Sequence, residues 1–154
     1  MQINETLTEA LNDLININHD RSACYEGIIA QVRSLDGELK NLFKKFSSES
    51  DKYAEELSSY LIANGSKPAI GPTTSGKIYR MWMQMKLDGT GGKRQSVFNS
   101  CEVEEGIAQL AYRQVLEGTV QMPEEIKEAI RGQQAALKSA QDVIKHFCTL
   151  QPVQ

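Results

Sequence analysis

The chain has 154 residues, 40% of them hydrophobic and 24% charged, and a formal net charge of −3. Residues 1–154 read as one soluble domain with a real core, and no apolar run approaches the length of a membrane span. Cys24, Cys101 and Cys148 are far apart with no CxxC, and His19 and His146 are the sole histidines, so a disulfide framework, a zinc site and a histidine-rich metal centre are not expected.

The N-terminus, MQINETLTEALNDL, has no basic segment followed by an apolar one. No signal peptide is read there, and the expected location is the cytoplasm. The first helix, about 6–34, is expected to start at Thr6, with Glu9 closing a capping box. Leu7, Leu11, Leu14, Asn18, Arg21, Tyr25, Ile28, Val32 and Leu35 follow a seven-residue repeat, the spacing of a bundle seam. That seam is apolar at both ends and polar in the middle. Asp36-Gly37 makes a short turn.

The second helix, about 38–64, turns Leu39, Leu42, Phe43, Phe46, Ser50, Tyr53, Leu57, Tyr60 and Leu61 inward. Asn64-Gly65 reads as a left-handed C-cap. A short turn between two long helices makes them antiparallel neighbours.

Residues 65–92 form a crossover long enough to run the length of a bundle. It opens with the Gly-, Pro-, Ser- and Thr-rich GSKPAIGPTTSGK, then gives a short amphipathic helix at about 77–87. Ile78, Met81, Trp82 and Met85 fall on one side, which suits a lid over the chain's own bundle and alternatively a partner surface. Lys67, Lys77, Arg80, Lys86, Lys93 and Arg94 face one acid, Asp88, across residues 65–94. A solvated loop is the plain reading. An anion or protein partner docking at Lys77, Arg80 and Lys86 is the sharper one. No nucleic-acid motif accompanies these residues.

The third helix, about 93–118, places Phe98, Cys101, Glu105, Ala108, Tyr112, Val115 and Thr119 on one stripe, with Glu102 and Glu105 on or beside it. A carboxylate on the buried side of a helix is costly unless something pairs with it. The fourth helix, about 123–148, is expected to hold Pro123 at its first helical position and to face Ile126, Ile130, Gln133, Leu137, Ala140, Ile144 and Phe147 inward. No strand of substance is read. Two hairpins joined by a long crossover give an all-α, ferritin-like four-helix bundle.

The levels follow from the turns: position n of the first helix faces a position near 71 minus n of the second. His19, Asp20, Arg21, Glu49, Glu102, Glu105 and Gln141 therefore form the candidate central cluster. Di-metal bundles use a Glu from two helices and Glu-x-x-His from the other two. Here the second helix has Glu49-x-x-Lys52, the third Glu102-x-x-Glu105, and the fourth no Glu-x-x-His. Arg21 is an apt partner for Glu105 or Glu49, and a guanidinium among the acids repels a metal ion. No metal or cofactor is expected, with iron or manganese on Asp20, Glu49, Glu102 and Glu105 as the alternative. Cys101 has acids beside it in sequence, so it reads as a core residue and not as a nucleophile.

The segments LNDLININHDRSACYEG, YAEEL, IYRMWMQMKL and SCEVEEGIAQLAY resemble a bacterial family of ferritin-like four-helix bundles classed as a domain of unknown function. The likeness runs through Cys101, Glu102, Glu105 and Tyr112 of the third helix and Arg80, Trp82 and Met83 of the short helix, over about residues 8–147. It implies the ferritin-like bundle and carries no activity. Late in the fourth helix, where that family often has His-Asp, this chain has Gln141-Asp142. The expected protein is a non-enzymatic bundle, possible homo-oligomer included, that acts by binding or in stress physiology.

Overall fold

The computed structural model describes residues 3–31, 37–69 and 94–150. Four helices account for nearly all of them: α1 (Glu5–Gln31), α2 (Gly37–Ala63), α3 (Arg94–Glu117) and α4 (Glu124–Leu150). No strand occurs among the described residues. The short helix expected at 77–87, and with it Lys77, Arg80 and Lys86, lies outside them.

Helix ends follow from local chemistry. Asn4, not Thr6, starts α1: its Oδ1 accepts the Leu7 amide at 2.8 Å, and its carbonyl accepts the Thr8 amide at 2.9 Å. The side-chain oxygen of an Asn cap reaches an otherwise unpaired amide, which displaces the expected capping box at Thr6. At the end of α2, Gly65 sits at φ +76°. The Ser66 amide reaches back to the Leu61 carbonyl at 2.9 Å and the Gly65 amide to Ile62 at 3.0 Å. Gly65 is thus the left-handed C-cap expected of Asn64-Gly65, and these two bonds close it as a Schellman motif. Pro123 stands just ahead of α4, and its carbonyl takes the Ile126 and Lys127 amides at 3.1 Å.

The helices pack as two antiparallel hairpins, α1 with α2 and α3 with α4. α1 also lies along α3 and joins the hairpins; α2 and α4 touch much less. The result is an all-α four-helix bundle. Its core has two apolar halves. One gathers Ile28, Leu39, Phe43, Phe46, Phe98 and Ile144; the other gathers Leu7, Leu11, Leu14, Leu57, Leu61, Ile126 and Ile130. Burying each such side chain contributes roughly 1.5–3 kcal/mol. The polar stretch of the α1 seam falls between the halves.

Candidate functional site

Arg21 is the largest fully buried side chain of the layer between the halves. It belongs on the α1 seam by its spacing from Leu14 and Ile28, and its length lets it reach three neighbours. Its Nε donates to Glu105 Oε2 of α3 at 2.9 Å. Its Nη1 donates to the Phe46 carbonyl at 3.0 Å and to Ser50 Oγ at 2.8 Å, both on α2. The guanidinium lies 5.3 Å from the ring centroids of both Tyr25 and Phe46, within cation–π range. The Tyr25 hydroxyl donates to the same Glu105 Oε2.

Two further chains of hydrogen bonds extend the layer. Asn18 Nδ2 donates to the Tyr112 hydroxyl at 2.7 Å, Tyr112 donates to Gln133 Oε1 at 2.6 Å, and Gln133 Nε2 donates to Glu56 at 2.6 Å. All four helices are thereby linked at one level. On the α1–α2 side, Ser47 donates to Glu26 at 2.9 Å and pairs with Ser22 at 2.9 Å. A buried network of this kind is stable only when its members are paired, and most of them are.

Electrostatics follow from burial. Desolvation works against the Arg21 charge, yet Glu105, Tyr25 and Glu49 outweigh it and push its pKa up. Burial pushes the Glu105 carboxyl above the usual range, while the Arg21 charge and the Tyr25 hydrogen bond pull it back. Burial, and then Glu105, hold Tyr25 well above the ordinary phenol value. Glu104 is raised from 4.5 to about 8, first by desolvation, then by the charges of Glu105 and Asp20. Cys24 and Cys101 are raised well above the usual thiol value, chiefly by burial, so neither is a thiolate at neutral pH.

The expected cluster is gathered only in part. Arg21 and Glu105 pair as expected, and Arg21 faces Ser50 as the 71-minus-n register requires. Asp20 is buried and adds its charge at Glu104. Glu49 is half-buried and close enough for Arg21 and Glu105 to feel its charge. Glu102 is half-buried on the α4 side of α3, where Cys148 feels its charge. His19 and Gln141 are half-buried and bring no hydrogen bond to the layer among the described residues. Glu104 was not expected, although Val97, Cys101, Glu104 and Ala108 have helical spacing of their own.

Among the described residues no three His, Cys, Asp or Glu side chains converge as metal ligands. Glu105 Oε2 is already taken by a guanidinium and a phenol. This donor set does not fit a carboxylate-bridged iron or manganese pair, which needs several carboxylates and imidazoles free to coordinate. The surface grooves at Glu38–Phe147, Thr6–Val120 and Lys52–Glu56 are lined by none of Arg21, Glu104 and Glu105. The layer holds protons and charges in place, and the two buried thiols beside it, Cys24 and Cys101, stay protonated.

No helix among the described residues is long and apolar enough to cross a membrane. A family profile described as Domain of unknown function (DUF2383) matches residues 6–118, which takes in α1, α2 and α3 but not α4. No curated protein matches the chain.

Proposed function

The chain belongs to this domain-of-unknown-function family, and from that premise we propose a soluble, cytoplasmic, ferritin-like bundle that works by binding and not by catalysis, with stress physiology as its setting. One observation carries the reading: Arg21, fully buried, stands at the centre of the bundle and is paired with Glu105 at 2.9 Å. In ferritin-like bundles the centre is where metal-binding carboxylates and histidines project inward. A cation fixed there opposes metal binding by charge. Two antiparallel hairpins with a long stretch of chain between α2 and α3 support the ferritin-like part. Free thiols at Cys24, Cys101 and Cys148 support a reducing compartment.

Purified protein should oxidise ferrous iron in air, and consume peroxide, no faster than buffer does. Turnover of either above the buffer rate overturns the reading. The rival, an iron or manganese protein, has one observation in its favour: Glu104 Oε2 and Glu105 Oε1 are buried without a hydrogen-bond partner. Elemental analysis of protein grown with both metals separates the two, because the rival requires a stoichiometric ion that survives desalting.

A further inference from the structure

α3 has an apolar stripe on its outer side. Val103, Ile107 and Leu110 are 44%, 38% and 48% exposed. Their spacing of four and three residues aligns them on one face. That face points away from Cys101, Glu105, Ala108 and Tyr112, which are buried. Exposed large apolar side chains scattered singly need no explanation, but an aligned run on one helix does.

The stripe is bordered by two charges of opposite sign. Glu102 and Arg113 are eleven residues apart, close to three full turns, so they lie on the same flank of α3. Glu102 is half-buried, Arg113 is exposed, and neither makes an ion pair among the described residues. They stand at nearly equal distances on either side of Ile107, about 7.5 and 9 Å at the helical rise. Gly106 sits beside the stripe, and a Cβ built there would meet nothing within 4 Å, so a second helix can come close at this level.

We propose that this face joins two copies of the chain, with their α3 helices packed antiparallel about a two-fold axis at Ile107. A two-fold interface must be complementary to itself. In the antiparallel arrangement Val103 of one copy meets Leu110 of the other, Ile107 meets Ile107, and Glu102 meets Arg113 at both ends. In a parallel pairing the two-fold axis would run along the helices and put the two charged flanks on opposite sides of the contact, so Glu102 and Arg113 would find no partner across it. Charge therefore selects the antiparallel pairing, and the apolar stripe supplies the contact. The stripe is short against the roughly 800 Å² per partner of a standard interface, so the dimer should form in a concentration-dependent way.

Sedimentation of the full chain at concentrations from roughly 5 to 500 μM tests this. The expected result is a monomer–dimer equilibrium. Ile107→Glu should abolish the dimer while the helical circular dichroism and the urea transition stay as in the parent. Arg113→Glu and Glu102→Arg should each weaken association by about tenfold or more, and the two together should restore it. Ile107→Cys should cross-link to itself under mild oxidation. Glu117→Cys should not, because its two copies would be about 30 Å apart. A monomer at every concentration overturns the proposal, as does a dimer indifferent to Ile107→Glu. Failure of the double charge exchange to restore association also overturns it. So does unfolding by Ile107→Glu, which would mean that the chain itself covers the stripe.

Discussion

Arg21 and Glu105 bring opposite charges into a layer with almost no access to water. Removing one partner strands the other, and a buried charge left alone is far more costly than the pair. Glu105→Ala should therefore destabilise the protein by about 3–5 kcal/mol in urea denaturation. The double replacement Arg21→Met with Glu105→Leu should cost less than either single change, because it removes both desolvation penalties. A double change as costly as the sum of the singles would show the pair to be independent sites. Glu104 behaves differently. Its carboxyl titrates at about 8 in the folded chain against 4.5 for an ordinary glutamate. The folded state therefore keeps a proton that the unfolded state releases. The stability linked to it is complete below about pH 4.5 and is lost as pH rises to about 8, by on the order of a few kcal/mol. Glu104→Gln should flatten that slope in unfolding free energies measured across the same range, and should raise stability at pH 8. Glu104 faces Asp20 and Arg21 of α1 and its own neighbour Glu105, so the replacement must leave the Arg21–Glu105 pair in place.

The helices themselves are specified locally at their ends and periodically along their length. Asn4→Ala should cost about 1 kcal/mol by leaving the Leu7 amide without its acceptor. Gly65→Ala should cost a similar amount, about 1 kcal/mol, because a Cβ is strained at φ +76° even though the space around it is open. Urea midpoints at constant m-value check both. Much of this was readable in the residues. The seven-residue repeat of α1 named Leu7, Leu11, Leu14, Asn18, Arg21, Tyr25, Ile28, Val32 and Leu35; the first seven are buried, and the last two lie outside the described residues. The α4 stripe from Ile126 to Ile144 is buried as its spacing requires. Thr6 with Glu9 satisfies the same sequence rule two residues after Asn4, and only geometry decides between competing caps. On α3 a stripe of 3.6-residue period has two edges, and Glu102 and Glu104 lie on opposite ones. The edge against α1 is the buried one, because α1 packs along α3. Which edge a neighbour covers is a property of the bundle and not of the helix.

At the scale of the molecule, α4 completes what α1–α3 begin. It supplies Ile126, Ile130 and Leu137 to one apolar half, Ala140 and Ile144 to the other, and Gln133 to the layer between. The family match ends at residue 118, ahead of this helix. A chain ended after Gly118 should lose its cooperative urea transition, since both halves of the core would open to water. A truncated chain that still unfolds sharply would mean that α1–α3 fold alone. The central guanidinium has one more consequence. It finds its carboxylate, carbonyl and hydroxyl acceptors at a single height of the bundle. Leucine and isoleucine surfaces on either side would tolerate helices sliding by a turn, since grease fits grease at many offsets. The arginine would not, for a one-turn slip of about 5.4 Å would press it against hydrocarbon. It acts as an alignment pin, so the apolar ends can drift in sequence while the vertical setting of the four rods stays fixed.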